Sequence, residues 1–333
     1  MTLPRRKLGR TGLDICVLGL GAAPLGGLYR SVPDEVARTT IDTAYDGGVR
    51  YFDVAPFYGH GLAERRLGDA LRRRGGDYLL STKVGRLLKP ARDGVTTRGM
   101  YEGALPFDIA YDYSYDGVMR SLEDSHQRLG LDRIDIVYIH DVNRRWHGDA
   151  VDERFAEVMA GGYRALDELR RAGLVRAVGV GVNDSSILMR FADAGDFDCF
   201  MLAGRYTLLE QSPLDDLLPL CEKRDISIVA AAPFNSGILA TGARKNAKYF
   251  YGEASEEILS RTRRIEGVCR SFEVPIAAAA IQFPLRHPAV ASVALGCSNS
   301  EEVQANISHL FRPVPAEFWR ALKDEGLIRA DAA

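Results

Sequence analysis

The stretch YFDVAPFYGHG, residues 51–61, joins the end of an apolar run to a glycine-containing turn. Asp53 closes the apolar part, and Tyr58 follows five residues later, next to Gly59 and shortly after Pro56. Ionisable side chains where a strand meets a loop are typical of catalytic groups displayed by a rigid scaffold. A structural interpretation is also open, in which Asp53 caps the following segment and Tyr58 packs at the surface.

Apolar runs like the one before Asp53 recur along the chain and alternate with amphipathic segments such as LAERRLGDALRRRG. Several of the amphipathic segments end in glycine, as helices commonly do. Strands that alternate with helices predict parallel pairing through right-handed crossovers, and eight such units close a TIM-type barrel. We therefore predict an α/β fold, a single (β/α)8 TIM barrel domain over residues 1–333. The eight runs are ICVLGLG, VRYFDVA, DYLLSTKV, RIDIVYIHD, VRAVGVGVN, FDCFMLAG, ISIVAAAP and ASVALGC.

Additions to the barrel are expected at its start, in its middle and at its end. The opening RRKLGRTGLDICVLG has an RTG turn between extended runs, which predicts an N-terminal β-hairpin that could plug the barrel's bottom. Residues 87–113 are rich in Gly, Asp, Pro and aromatics without a clear period. A connection of that length is typical of a binding loop or lid. Extra C-terminal helices are expected after the last strand.

The runner-up architecture is a doubly wound sheet with a dinucleotide fingerprint in GLGAAPLGG. This stretch lacks the third glycine at the required spacing, and Pro24 removes an amide donor. The barrel is therefore the favoured fold.

Composition excludes several classes of protein. The net charge of −2 gives no overall field for nucleic acid or an anionic membrane. Five scattered cysteines without metal-ligand spacing are expected to be reduced and mostly buried, and no metal site is predicted. We see neither a signal-type apolar segment nor a run near the ~20 residues of a membrane span, so a cytoplasmic location is expected.

Three successive predicted strands end in an ionisable residue. Asp53 ends the second, Lys83 follows LLST in the third, and His140 follows IVYI in the fourth. A lysine or histidine at a strand end is often only a solvated or hydrogen-bonded rim residue. Because the carboxyl ends of parallel barrel strands meet on one face, these side chains are instead expected to converge near Tyr58.

The chain resembles the aldo-keto reductases in motifs that cover nearly its whole length. These are RKLGRTGL, YFDVAPFYGHG followed by Glu64, STKVG, YIHD, GVGVN, PFNSG and LGCSNSEEVQAN. The resemblance implies a barrel that binds an extended nicotinamide cofactor across its top. It also implies that Tyr58 transfers the proton, that Lys83 and Asp53 tune it, and that His140 orients the substrate oxygen. A phenol with a pKa near 10 is only ~0.1% ionised at pH 7, and an ammonium ~4 to 6 Å away favours the ionised form.

The resemblance also implies where the cofactor's parts bind. Asn183 matches the asparagine that holds the nicotinamide carboxamide, although Val182 replaces the serine that usually precedes it. Tyr206 resembles the ring that stacks under the nicotinamide. The pyrophosphate loop would include Pro233, Phe234, Asn235, Ser236, Gly237 and Leu239, and the adenosine site Gly296, Ser298, Glu302 and Asn306.

NAD rather than NADP is the expected cofactor. Many NADP-using relatives carry a basic residue four positions before the adenine-contacting asparagine, where this chain has Glu302. The acidic side chain would repel a 2′-phosphate. In the alternative, Glu302 points to solvent and a basic residue of another loop meets the phosphate.

The substrate expectation comes from a narrower resemblance. Several stretches, among them LAGRYTLLEQ and EFWRALKDEGLI, resemble a subgroup with aldose 1-dehydrogenases of the L-fucose type and pyridoxal 4-dehydrogenase. Both activities oxidise a cyclic hemiacetal to a lactone, so a small sugar or pyridoxal-like substrate is expected, with the sugar first. A cofactor-binding partner or sensor protein with little catalysis is the remaining alternative. Pocket candidates are Phe57, Tyr113, Trp146 and His147.

Overall fold

Eight parallel strands close into a barrel in the computed structural model, which describes residues 2–332. Around the barrel the strand order is β3, β4, β5, β8, β9, β10, β11, β14. Each predicted apolar run overlaps one of these strands, so the (β/α)8 fold is confirmed. In chain order the strands are β1 Arg5–Lys7, β2 Asp14–Cys16, β3 Leu18–Gly21, β4 Tyr51–Asp53, β5 Leu79–Val84, β6 Arg86–Pro90, β7 Phe107–Tyr111, β8 Ile136–His140, β9 Ala177–Val182, β10 Cys199–Ala203, β11 Ser227–Ala231, β12 Lys248–Tyr249, β13 Gly252–Glu253 and β14 Val290–Gly296.

Helices connect the barrel strands, and neighbouring helices pack side by side around them. Within residues 2–332, no helix has the length and apolar character that a membrane crossing requires. The helices are α1 Asp34–Asp46, α2 Leu62–Leu71, α3 Tyr115–Leu129, α4 Arg144–His147, α5 Val151–Glu157, α6 Tyr163–Arg171, α7 Ser185–Ala194, α8 Leu217–Arg224, α9 Ile238–Thr241, α10 Glu256–Ser271, α11 Ile276–Leu285, α12 Ser300–Phe311 and α13 Ala316–Asp324.

The N-terminal hairpin lies at the end of the barrel where the strands begin. The Arg6 guanidinium donates hydrogen bonds to the carbonyls of Leu285 and Val290, each at 2.7 Å. The amide of Gly9 donates to the hydroxyl of Ser227, at 2.6 Å. Because Ser227 and Val290 open strands β11 and β14, the hairpin covers the barrel's bottom. The predicted hairpin and the C-terminal helices α12 and α13 are both confirmed.

A buried carboxylate ties the first helices to the barrel. Glu64 on α2 is fully buried and accepts hydrogen bonds from Thr82 on β5, at 2.9 Å, and from Arg128 on α3, at 2.5 Å. Each carboxylate oxygen therefore has a donor, which burial of a charge requires. The contact joins α2, which follows the loop that carries Tyr58, to the strand that carries Lys83.

Residues 87–113 are more regular than their composition indicated. Their two ends belong to the antiparallel strands β6 and β7, which pair from Arg86–Tyr111 to Pro90–Phe107. The composition gave no sign of these two strands, and the binding loop or lid expected here stays a prediction. Between the strands, Tyr101 bridges to Leu28 and is buried, so the excursion folds back over the top of the barrel.

We expect Gly68→Ala to destabilise the fold by about 1–3 kcal/mol, because a Cβ there would lie 1.8 Å from the carbonyl oxygen of Leu129. That oxygen belongs to the backbone and cannot turn away. Gly267→Ala is the matched helical control: its nearest neighbour is a flexible arginine tip 3.9 Å away, and it should be neutral or gain up to ~1 kcal/mol. Chemical denaturation measures both free energies of unfolding. Equal stability of the two variants would contradict the packing of α2 against the end of α3.

Candidate active site

The barrel register brings three of the predicted residues to the same face. Asp53 pairs with Ser81 across β4 and β5, Lys83 pairs with Tyr138 across β5 and β8, and His140 lies opposite Gly181 on β9. Asp53 and His140 are the last residues of their strands, and Lys83 is one residue from the end of its own. Their side chains line one cleft together with Tyr58.

Lys83 and Asp53 form a buried ion pair. The Lys83 Nζ lies 2.6 Å from Asp53 Oδ2, with side-chain exposures of 2% and 4%, and also donates to the Val54 carbonyl at 3.0 Å. The Ser81 hydroxyl donates to Asp53 Oδ1 at 2.7 Å. Burial raises the pKa of Asp53, and Lys83 and Ser81 oppose that shift. The pair is fully hydrogen-bonded, as a buried salt bridge must be to persist.

Tyr58 lies against this pair in the loop after β4. Lys83 Nζ is 4.7 Å from the centre of its ring, and the ring of His140 is 6.0 Å away and nearly perpendicular. In the protein alone the pKa of Tyr58 lies well above its ordinary value, first because of burial and then because of the Asp53 carboxylate. Burial therefore favours the protonated phenol in the protein alone, and the tuning of Tyr58 by Lys83 stays a prediction.

His140 is a neutral imidazole at the centre of the cleft. Burial, followed by the charges of Arg86 and Lys83, lowers its pKa well below the ordinary value. Its Nε2 is 3.4 Å from Asp141 Oδ2, and within residues 2–332 its buried Nδ1 has no hydrogen-bond partner. A neutral imidazole can hold a substrate oxygen without adding charge.

Aromatic rings form one wall of the cleft. Of the four predicted pocket residues, Phe57 and Trp146 line this wall. Tyr113 and His147 do not. The hydroxyl of Tyr113 donates to the carbonyl of His140 at 2.8 Å and lies 3.0 Å from His147 Nε2. These two side chains therefore support the backbone of His140 from behind the cleft.

The opposite side of the barrel mouth is lined with small residues. The ends of β3, β9, β10, β11 and β14 present backbone and methyl groups, so a flat ring has room to lie beside Tyr58 and His140. Asn183 borders this space and accepts a hydrogen bond from Asn143 at 3.1 Å, and Val182 lines it. These residues fit a nicotinamide and its carboxamide. The small residues are Gly21, Gly181, Ala203, Ala231 and Ala294.

Tyr206 lies outside the cleft, so the stacking role expected for it is wrong. Its side chain is 1% exposed, and its ring packs against Phe283 and His287 at 5.2 and 5.8 Å. The strand β10 ends at Ala203, and the chain turns at Gly204 with a positive φ of 67° before Tyr206. The turn directs the ring toward α11.

The predicted pyrophosphate loop has an unusual backbone. Asn235, Ser236 and Gly237 follow one another with φ of 46°, 62° and 102°. Asn235 and Ser236 line the cleft, and within residues 2–332 the buried Asn235 Oδ1 has no partner. Phe234, directly before them, is right-handed with φ of −84°. A right-handed residue followed by a left-handed one turns successive amides to one side, which suits anions. Pro233 and Leu239 are buried beneath the loop, whereas Phe234 and Gly237 are half-buried.

The predicted adenosine segment begins at the cleft and leaves it. Gly296 lines the cleft. Glu302 accepts a hydrogen bond from the amide of Ser298 at 2.8 Å, and Arg30 NH2 lies 3.4 Å from its carboxylate. Asn306 is buried and donates to the sulfur of Cys297 at 3.2 Å.

Several cleft residues were missed by the sequence reasoning. Tyr101 comes from residues 87–113, and Tyr251 comes from the turn between β12 and β13, where its amide donates to Ser236 at 3.1 Å. Asp141 lines the cleft immediately after His140, and it pairs with the buried Arg86. Asp141 and Arg86 had a signal, because Asp141 is the last residue of the predicted run RIDIVYIHD and Arg86 lies two residues after the run DYLLSTKV.

Comparison with known proteins gives this cleft its family. Residues 17–325 match the sequence model of the family described as Aldo/keto reductase family. A pyridoxal 4-dehydrogenase of Microbacterium luteolum is 45% identical over 335 aligned positions, 97% of this chain and 98% of that protein. A D-threo-aldose 1-dehydrogenase of a Pseudomonas species is 40% identical over 325 positions, 95% and 96% of the two chains.

The fold has a close structural counterpart. The holo form of an aldo-keto reductase from Bacillus halodurans superposes with a TM-score of 0.76 at 24% identity, and the match covers 99% of this chain and 98% of the other. The match in sequence spans the barrel and every strand end that carries Asp53, Lys83 or His140. The chain therefore belongs to the aldo/keto reductase family of oxidoreductases.

Proposed function

We propose that this oxidoreductase uses NAD to oxidise a cyclic hemiacetal to a lactone. The observation that carries the proposal is the convergence of Tyr58 and His140 next to the buried Lys83–Asp53 pair. Similarity to a pyridoxal 4-dehydrogenase and a D-threo-aldose 1-dehydrogenase supports the choice of a dehydrogenase.

The chain's own residues hold the reacting hydroxyl and take its proton. The neutral His140 imidazole binds the hemiacetal oxygen, and Tyr58, once ionised to the phenolate, accepts the hydroxyl proton as that oxygen becomes the lactone carbonyl. The bound nicotinamide would supply a hydride acceptor and, in its oxidised form, a positive charge. Asn183 would hold it, while the loop with Asn235 and Ser236 would take the pyrophosphate. The small residues at the ends of β3, β9, β10, β11 and β14 leave room for the nicotinamide ring in this part of the cleft.

An aldose is the first substrate candidate because the cleft wall carries an acceptor for hydroxyl groups, the carboxylate of Asp141. Pyridoxal is the second, because Phe57, Trp146 and Tyr101 give an aromatic wall suited to a planar ring. A panel of aldoses and pyridoxal, read by nicotinamide absorbance, separates the two. A partner or sensor protein would reduce the dinucleotide with neither, and the complete tetrad argues against that role.

NAD is preferred in this proposal because Glu302 would face the 2′-phosphate of NADP. Two like unit charges ~4 Å apart repel by about 1 kcal/mol in water and about 4 kcal/mol at an effective dielectric of 20. Arg30 is the basic residue of another loop that could meet the phosphate instead. Its pairing with Glu302 offsets that attraction.

The proton-transfer role predicts that Tyr58→Phe lowers kcat about 10²- to 10⁴-fold. One hydroxyl is lost while the ring and its packing remain, so the melting temperature and the dinucleotide affinity should stay close to wild type. Steady-state kinetics and dinucleotide titration measure these quantities. Tyr45→Phe is the control, because its hydroxyl binds the Gly75 carbonyl far from the cleft. Turnover near wild type in Tyr58→Phe would rule out the assignment.

For Lys83→Met we expect a lower rate and an alkaline shift in the pH dependence of kcat/KM for oxidation. The oxidation needs Tyr58 to accept a proton, so the rate rises with pH through its pKa. Removing the ammonium 4.7 Å from the ring disfavours the phenolate and moves that rise to higher pH. Lys89→Met, at an exposed position on β6, is the control. An unchanged profile would count against the coupling between Lys83 and Tyr58.

The NAD preference predicts that Glu302→Arg shifts the ratio of kcat/KM values toward NADP. Glu302→Gln should shift the ratio less, because it removes the repulsion and frees Arg30 without adding a charge. Glu301→Gln, at the exposed neighbouring position, is the control and should leave the ratio as it is. A wild-type enzyme that prefers NADP would overturn the proposal, and an unaltered ratio in Glu302→Arg would remove Glu302 from the site.

A further inference from the structure

A second buried ion pair lies beside the catalytic one. Arg86 on β6 is 1% exposed, and its NH2 lies 2.6 Å from Asp141 Oδ2. The guanidinium is stacked among aromatic rings, with its carbon 4.0 Å from the centre of the Phe57 ring and 4.5 Å from that of Trp146. Arg86 is thus packed against two neighbouring aromatic rings, and it donates to one oxygen of the Asp141 carboxylate.

Asp141 has features of a ligand-binding group rather than of a brace. Its side chain lines the cleft, and within residues 2–332 its Oδ1 accepts no hydrogen bond. Its backbone is left-handed, with φ of 54°, and is held there by a hydrogen bond from its amide to the Gly181 carbonyl at 2.9 Å. Such a conformation costs about 1–3 kcal/mol in a non-glycine residue and is concentrated at functional sites.

The position of Asp141 relative to His140 defines which substrate atom it can reach. Asp141 Oδ2 is 3.4 Å from His140 Nε2, the atom that would hold the reacting oxygen. Hydrogen bonds to that oxygen and to the carboxylate each span about 2.7–3.0 Å. The free Oδ1 is therefore within reach of a hydroxyl on the carbon next to the reacting carbon, but the reacting oxygen itself stays with Tyr58 and His140.

Resting on the hemiacetal oxidation proposed above, we infer that Asp141, positioned by Arg86, determines substrate specificity by accepting a hydrogen bond from the hydroxyl adjacent to the hemiacetal carbon. In an aldose this is the 2-hydroxyl. The corresponding carbon of cyclised pyridoxal belongs to the aromatic ring and carries no hydroxyl, so the contact favours sugars. A site built to bind a hydroxyl strongly rejects the analogue that lacks it, because its buried acceptor is left unpaired.

The test pairs a protein change with a ligand change. Asp141→Asn should raise KM for an aldose roughly ten- to a hundredfold with a smaller change in kcat, because one charge-assisted hydrogen bond is lost. Wild type should show a similar rise for the 2-deoxy-aldose. With that analogue the variant and wild type should agree within about twofold, since the partner is already absent. Asp149→Asn, on a fully exposed side chain, is the control. Thermal unfolding checks that each variant is folded.

Different outcomes separate this inference from the proposed function. If Asp141→Asn raises KM equally for the aldose and its 2-deoxy analogue, Asp141 has only a structural role. If the substitution leaves KM for the aldose unchanged, Asp141 does not contact the substrate. Either result overturns the inference. So would oxidation of pyridoxal with no aldose accepted. Should Asp141→Asn not fold, equal KM values of wild type for the aldose and its 2-deoxy analogue would still overturn it. If wild type oxidises no hemiacetal, the proposed function fails, and calorimetric binding of the aldonolactone and its 2-deoxy counterpart decides the inference independently.

Discussion

The buried contact between Lys83 and Asp53 is the constraint on which the rest of the site depends. Removing two charges from water costs several kcal/mol each, and the cost is offset only when the charges touch and their remaining hydrogen-bonding groups are satisfied. Here Ser81 and the Val54 carbonyl complete the set. The pair spans β4 and β5, so a slip of either strand would leave a charge unpaired. The same contact therefore specifies the barrel register and fixes the ammonium beside Tyr58.

Around this pair the barrel mouth divides into two halves with different chemistry. The ends of β4, β5 and β8 carry the ionisable residues, whereas the other strands end in glycine, alanine or, for β9, valine. Bulky side chains enter from the connecting segments, among them Phe57, Trp146 and Tyr101. The strands thus position the ionisable residues and leave an open space beside them, and the loops determine the shape of the substrate cavity. Differences in substrate among related barrels are accordingly expected in loop residues.

Features that depend on local sequence pattern were predicted correctly from the sequence. The predictions failed where the outcome depends on the direction in which a side chain points in the folded protein. The eight strands and the convergence of Asp53, Lys83 and His140 follow from periodicity and from the shared direction of parallel strands. Tyr206 and Tyr113 were misplaced because a ring near a strand end can point into the cleft or away from it, and a turn such as that at Gly204 makes the choice. The contact of Arg86 with Asp141 joins β6 to the residue after β8, a pairing that neither segment's pattern encodes.

The charge balance of the site bears on when Tyr58 can act as a base. Lys83 is hydrogen-bonded to Asp53, so the pair presents little net charge to the ring, and burial raises the pKa of Tyr58. Nearby, Arg86 is likewise neutralised by Asp141. A phenolate would therefore be an uncompensated charge in the cleft of the protein alone, which disfavours it. A cationic ring bound beside the strands that end in small residues would supply the missing positive charge and favour the phenolate. In the proposed mechanism, proton loss from Tyr58 would thus be coupled to occupancy of the neighbouring site, and the base would become available where a hydride acceptor is also bound.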